Sequence, residues 1–307
     1  MYCITGGCGF IGSHIAEELV KKGKKIRIID DLSTGSIENI KAIRNDVEFI
    51  QGDIRDSALL EKTCKGVDTV FHQAALVSVG RSIEEPGLNH EINITGTANV
   101  LEACRKNGVK KLVMASSAAV YGNDPHLPKK ETMNPSPISP YGLAKWQNEQ
   151  TGAIYASLYG MSITCLRYFN VYGPRQDPRS PYSGVLSIFS KAFSQENVAI
   201  TVFGDGLQTR DFIYVKDVVS ANIVASTITE PFTVFNVGTG KSVALLDVID
   251  IMQDITVKDV NCDFKPERSG DIRFSSASVA KIKKHGFSPR YMLDQGLQEY
   301  FKSLTTV

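Results

Sequence analysis

Residues 2–14 read YCITGGCGFIGSH. The apolar run Tyr2–Thr5 has the look of a buried strand. It passes straight into Gly6, Gly9 and Gly12, and a helical pattern continues to about Lys22. Glycines three apart let the chain turn tightly and bring its backbone close to a pyrophosphate. The helix that follows offers free N–H groups to an anion. The spacing is GxxGxxG rather than GxGxxG. Its position between a strand and a helix nevertheless predicts a dinucleotide site, with Phe10 and Ile11 in the same turn.

Working outward, the runs 25–30 (KIRIID), 47–52, 68–72 and 111–116 read as further strands. Helical patterns lie between them, including Ser57–Cys64 and a long one from Leu88 to Asn107. Strands alternating with helices at this spacing predict right-handed crossovers and a parallel sheet covered on both faces. The expected fold is therefore α/β, a Rossmann-type doubly wound parallel sheet with a smaller α/β lobe for substrate. Five of the twelve prolines fall between Pro125 and Pro140, which predicts a stiff loop. A helix follows from Tyr141 to Tyr159, then a strand, Ser162–Tyr168. From Asn170 the pattern becomes irregular. Residues 1–169 are assigned to the dinucleotide-binding domain, and 170–209 with 236–307 to the smaller lobe. The segment 210–235, opening with RDFIYV, is expected to return to the sheet.

Strand ends carry the candidate cofactor contacts. Asp30 and Asp31 lie about 20 residues past the glycines, where a carboxylate suits the ribose hydroxyls of NAD. No Lys or Arg stands between Asp31 and Ile40 to favour the 2′-phosphate of NADP. Asp53 and Ile54 flank the adenine by the same logic. The small residues Ala74 and Ala75, after His72 and Gln73, let the cofactor pass close to the backbone. His72 reads as a packed histidine, because no second His or Cys completes a metal site.

Composition limits the function classes. The 307 residues carry 34 basic and 33 acidic side chains, a net charge of +1. That balance gives no electrostatic footprint for nucleic acid or an anionic membrane. No stretch approaches the roughly 18 apolar residues of a membrane span. The six cysteines include no CxxC pair and are expected to be free thiols in a reducing cytoplasm. Met1 leads at once into a strand, so no signal peptide is expected.

The candidate chemistry is carried by Ser117, Tyr141 and Lys145. Tyr141 and Lys145 stand at i and i+4 on one helix face, the single YxxxK in a chain with 11 tyrosines. Ser117 ends a strand on the sheet edge that the glycine turn occupies. A free phenol, with a pKa of about 10, is a poor base at neutral pH; a nearby ammonium and a cationic nicotinamide are expected to lower it.

The segments TGGCGFIG, SSAAVYG, SPYGLAK, RYFNVYGPRQDP, GDGLQTRDFIYVKD and FNVGTG occur in this order. Over essentially its whole length the chain resembles the extended short-chain dehydrogenase/reductases, and among them the nucleotide-sugar epimerases. The resemblance implies tightly held NAD and a Ser–Tyr–Lys set that oxidises a sugar carbon. It adds Tyr168 to the cofactor contacts. On the substrate side it points to Ser78, Ser117, Tyr141, Asn170 and Val185, to Arg210 and Arg268 on the diphosphate, and to Asp271 on the uridine ribose. Arg81 and Ser82 would share a substrate-side loop with Ser78. Ser275, four residues past Asp271, occupies a gatekeeper position where a small residue leaves room for an acetamido group. Family dehydratases carry an acidic pair just after the serine or threonine; here Ala118 and Ala119 stand there. That implies plain 4-epimerisation of a UDP-hexose, UDP-glucose or UDP-GlcNAc, through a transient 4-keto sugar. It also implies a homodimer packed through the helices matching Leu88–Asn107 and Tyr141–Tyr159. A UDP-glucuronate 4-epimerase or decarboxylase on the same scaffold is an alternative. A non-catalytic NAD-binding sensor is another, although such relatives usually lose the Tyr–Lys pair kept here.

Overall fold

A computed structural model describes residues 1–177, 184–194, 199–267 and 272–305. The strands are β1 (Tyr2–Thr5), β2 (Ile26–Asp30), β3 (Val47–Gln51), β4 (Thr69–His72), β5 (Lys111–Ser117), β6 (Ser162–Tyr168), β7 (Asn170–Tyr172), β8 (Ile200–Phe203), β9 (Thr209–Arg210), β10 (Phe212–Tyr214), β11 (Phe232–Val237), β12 (Val243–Ala244) and β13 (Cys262–Lys265). The helices used below are α1 (Phe10–Lys21), α2 (Ser57–Thr63), α3 (Val79–Glu84), α4 (Pro86–Asn89), α5 (Gly96–Lys106), α6 (Pro140–Tyr159), α7 (Val185–Phe193), α8 (Val215–Thr227), α9 (Leu245–Thr256) and α10 (Ala280–Lys283).

Seven parallel strands form the central sheet in the order β3-β2-β1-β4-β5-β6-β11. The order reverses between β1 and β4, which opens a crevice beyond their carboxyl ends. Both faces are covered, so the inner strands read as unbroken apolar runs. Ile15 and Leu19 of α1 pack with Val218, Val219 and Ala225 of α8 on one face. Leu60 of α2 and Val100, Leu101 and Cys104 of α5 pack on the other. A third core gathers Phe189 and Phe193 of α7 with Val248 and Met252 of α9, and Phe10 and Ile11 of α1 lean on it.

Three expectations differ from the structure. The strand in RDFIYV does not join the sheet: β10 pairs with β7, the Asn170 N–H donating to the Asp211 carbonyl. The free edge of β6 is taken instead by β11, so α8 and β11 make the return. Ala277, Val279, Ile282 and Phe287, placed in the smaller lobe, pack in the core beneath the sheet. The long helix is interrupted as well. Between α4 and α5, residues His90–Thr95 form a π-helical turn. Its cause is partly local and partly distant: the Asn93 carbonyl accepts the Thr97 hydroxyl (2.6 Å) and the Asn148 side-chain amide (2.8 Å). The Asn93 side chain in turn clasps the backbone N–H and C=O of Leu76, bracing the loop after β4.

The Pro-rich stretch is a loop, as its composition requires. It is pinned to the C-terminal segment through Lys129, whose N–H donates to Ser276 and whose carbonyl accepts from Ser278. It ends at Ser139, which caps α6 by accepting the Gly142 N–H at 3.1 Å, with Pro140 as the first helical residue.

Candidate active site

The register of the sheet brings Thr5 opposite His72 and Ser117 opposite Tyr168, all at the carboxyl edge. Gly6 there has φ of 66°, and a Cβ on it would lie 2.7 Å from the Ala74 nitrogen. No other residue type fits this contact between the two loops that border the crevice. Gly9 caps α1 with no side-chain partner, and the first turn of the helix holds no acidic residue. Its leading N–H groups thus suit a phosphate. Ala74 N–H donates to Thr5 Oγ1 at 3.2 Å, and Ala75 follows half-buried.

Asp30 does more than the sequence suggested. Its Oδ2 accepts the Cys8 N–H and its Oδ1 the Leu32 N–H, each at 2.8 Å, so it builds the glycine turn. Burial pushes its carboxyl above the usual range, against these hydrogen bonds. Asp31 is exposed and accepts the Ser33 N–H and hydroxyl. The Asp53 carboxylate is gripped by Arg55 at 2.6 Å, which lowers its pKa, while Ile54 is buried. His72 is indeed packed, between Thr5 (2.7 Å) and Thr97 (3.0 Å), and burial pushes its pKa down to about 3. The glycine turn, the free helix end and the strand-end carboxylate together fit a dinucleotide.

Tyr141 opens α6 beside Ser117. Its N–H donates to Ser82 Oγ at 3.2 Å, and its phenol is hydrogen-bonded to the Ser117 side chain. Ser117 also accepts the Ala119 N–H at 3.1 Å. Lys145 Nζ donates to the Ala115 carbonyl at 2.9 Å and lies 5.7 Å from the Tyr141 ring centre. Burial pushes the Lys145 pKa down to about 8. The expected depression of the phenol is not met in the protein by itself: burial raises the Tyr141 pKa, and Ser117 alone opposes it. Tyr168 is buried, its hydroxyl donating to Gln73 Oε1 (3.3 Å) and accepting from Asn222 Nδ2 (2.8 Å).

The substrate-side residues divide. Ser78 ends the loop after β4 and caps α3 by accepting the Arg81 N–H, whereas Arg81 and Ser82 lie in the helix, Arg81 paired with Glu85 and Ser82 buried beneath Tyr141. Asn170 begins β7 and Val185 begins α7, both half-buried. Arg210 Nη1 donates to the Thr209 carbonyl at 2.9 Å. Ser275 runs alongside, its N–H donating to the Thr209 carbonyl and its carbonyl accepting Ser242 Oγ at 2.6 Å. Arg268 and Asp271 lie outside the described residues. Sequence reasoning gave no role to Thr5, Gln73, Ala115 and Asn222, although Thr5 opens the glycine motif and Gln73 stands between His72 and Ala74. Among the described residues no cluster of three or more His, Cys, Asp or Glu side chains is placed to hold a metal ion.

A switch-point crevice with a glycine turn, bordered by a Ser–Tyr–Lys set, defines an NAD-dependent enzyme of the extended short-chain dehydrogenase/reductase class. The profile described as the NAD dependent epimerase/dehydratase family matches residues 2–238, and the chain belongs to that family. It is 35% identical to a UDP-glucose 4-epimerase of Mycolicibacterium smegmatis, with 98% of each chain covered. Among solved structures, it is similar to a UDP-N-acetylglucosamine 4-epimerase from Methanobrevibacter ruminantium M1 in complex with UDP-N-acetylmuramic acid, with a TM-score of 0.96 and 39% identity over 99% of this chain and 98% of that one. It is also similar to the UDP-glucose 4-epimerase of Thermus thermophilus in complex with NAD, with a TM-score of 0.90 and 37% identity over 99% and 98%. Among the described residues no helix is long and apolar enough to cross a membrane.

Proposed function

We propose that the protein is an NAD-dependent 4-epimerase of UDP-hexoses, acting on UDP-glucose and UDP-galactose and on their N-acetylated counterparts. The observation that carries the reading is the meeting of Ser117, Tyr141 and Lys145 at the sheet edge that holds the glycine turn. Gly6, Gly9, Phe10, Ile11, Gly12, Asp30, Asp31, Asp53, Ile54, Ala74, Ala75, Tyr141, Lys145 and Tyr168 would hold the cofactor. NAD, when bound, supplies an acceptor and donor for the hydrogen on sugar C4. Tyr141 takes the proton of the 4-hydroxyl and later returns it. Ser117 hydrogen-bonds the same sugar oxygen and the phenol. Lys145 offsets the phenolate charge that burial disfavours; each pKa unit is about 1.4 kcal/mol. The 4-keto sugar turns over between the two proton transfers, so there is no net redox. Ala118 and Ala119 offer no acid for eliminating water, which supports epimerisation over dehydration.

The uridine diphosphate is assigned to Asn170, Val185, Arg210, Arg268 and Asp271, with Ser78 and Ser275 toward the sugar. Incubation with UDP-glucose and with UDP-GlcNAc should give epimers of unchanged mass. Loss of carbon dioxide from UDP-glucuronate, with no action on the neutral sugars, would replace this reading by a decarboxylase.

Because the cycle leaves the cofactor unchanged, purified protein should carry NAD without any being added. Denaturing it and assaying the supernatant tests this; NADP, or no dinucleotide under any loading condition, counts against the Asp30 and Asp31 argument. Asp30→Ala with Asp31→Ala should weaken retention, chiefly through Asp30, whose loss frees the Cys8 N–H of the glycine turn.

A homodimer is part of the same proposal. Leu143, Ile154 and Leu158 stand exposed along one face of α6, the last at 67% of its full area. Exposed apolar side chains on one helix face, with Gln147 and Gln150 among them, suit a second copy. Light scattering at micromolar concentration should give twice the chain mass; a monomer mass refutes it. We assign the enzyme to the cytoplasm, with all six cysteines unpaired in support.

A further inference from the structure

Glu149 stands one helical turn beyond Lys145 on α6 and is 1% exposed. Its Oε1 accepts the Ser116 hydroxyl at 2.5 Å and Arg167 Nε at 2.9 Å, and its Oε2 accepts Arg167 Nη2 at 2.7 Å. Ser116 on β5 and Arg167 on β6 face each other in the register of the sheet. Each immediately precedes a site residue, Ser117 and Tyr168. The Arg167 guanidinium also covers the Tyr121 ring at 4.8 Å, in the turn that follows Ser117. The Tyr121 hydroxyl carries the chain of contacts on to Asn236 of β11 at 2.6 Å.

A two-pronged Arg–carboxylate contact has fixed geometry, so α6 cannot slide or roll on β5 and β6 without breaking it. Buried ion pairs seldom add net stability over apolar residues of the same volume. The pair therefore calls for a reason other than stability, and its place beside the Ser–Tyr–Lys set supplies one. We propose that Glu149, clamped by Arg167 and Ser116, is a positioning residue that seats α6 on β5 and so fixes the approach of Tyr141 and Lys145 to Ser117. The inference rests on the reading of those three residues given above and deepens it.

Glu149 also acts through its charge. Lys145 is faced by the Ala115 carbonyl from β5, by Cys165 from β6, by His72 from β4, and by Tyr141 and Glu149 from its own helix. Arg167 lies beyond Glu149. Burial keeps the His72 ring neutral and pushes the Cys165 thiol far up. Glu149 thus acts to hold the proton on Lys145, against burial.

The test is Glu149→Gln, which keeps size and an acceptor for Ser116 but removes the charge, in the NAD-loaded enzyme. The expected result is a kcat lower by about 10- to 30-fold with KM within about threefold, and an alkaline limb of kcat/KM moved to lower pH. An unmoved alkaline limb in a cooperatively unfolding variant overturns the proposal. If Glu149→Gln does not fold, Ser116→Ala, which deletes one hydroxyl and no charge, should lower kcat by about threefold or more at unchanged KM; wild-type kcat there overturns it equally. Tyr141→Phe run in parallel separates the two readings. If it retains activity, the assignment of the site itself fails. If it loses activity while the Glu149 and Ser116 variants behave as wild type, only the positioning role fails.

Discussion

Tyr141→Phe is expected to lower kcat for the interconversion of UDP-glucose and UDP-galactose by about 10² or more, the lower range for loss of a general acid–base group. Phenylalanine keeps the ring, and the backbone N–H of residue 141 still reaches Ser82. The start of α6 should therefore stand and NAD stay bound, so the loss falls on the proton transfer. Lys145→Ala should act similarly, because a buried phenolate without a nearby cation is disfavoured. It should also loosen the nicotinamide ribose. The pH dependence has a definite sign. Lys145 loses its proton near pH 8 rather than above 10, so kcat/KM should decline as pH rises through that value. Below it the ammonium is complete and this limb is flat. Activity of Tyr141→Phe within about threefold of wild type would refute the assignment.

Ser275→Tyr should separate acetylated from plain sugars. Ser275 lies in an extended segment held by backbone, its N–H on the Thr209 carbonyl and its own carbonyl on Ser242. It caps no helix: α10 begins at Ala280 with Val279 before it. The substitution therefore adds volume, and among the described residues it removes no hydrogen bond of the side chain. An acetamido group needs space that a hydroxyl does not, and overpacking of this kind costs about 1–3 kcal/mol, or about 5- to 150-fold in rate. The loss should fall on kcat/KM for UDP-GlcNAc, with UDP-glucose nearly spared. Equal losses on both substrates, or no UDP-GlcNAc activity in the wild type, would remove the gatekeeper role.

Much of the molecule was readable in one dimension. The strand-to-helix alternation, the glycine turn and the YxxxK helix are local patterns, each set by residues within a few positions of one another. Ser139 and Pro140 start α6 by local chemistry, and Gly160, at φ of 66°, ends it. The interruption at His90–Thr95 was not readable, because its cause includes Asn148, far along the chain. The same holds for α3, where a segment resembling a loop is wound into a helix. Ser82 there supports Tyr141 across a separation of 59 residues.

The sequence by itself determined that a parallel α/β sheet would form and that serine, tyrosine and lysine would be available at its edge. Periodicity and turn chemistry act over short stretches and survive without knowledge of the partners. Only the tertiary structure decided how those groups ionise and what holds them. In the protein by itself, burial raises the Tyr141 pKa and brings Lys145 down to about 8. Asp30 turns from a candidate ribose ligand into a builder of the glycine turn as well. Glu149, Arg167 and Ser116, given no role in the sequence reading, meet only when α6 lies across β5 and β6. Desolvation and charge pairing depend on every group that closes around a site, and those groups come from distant parts of the chain.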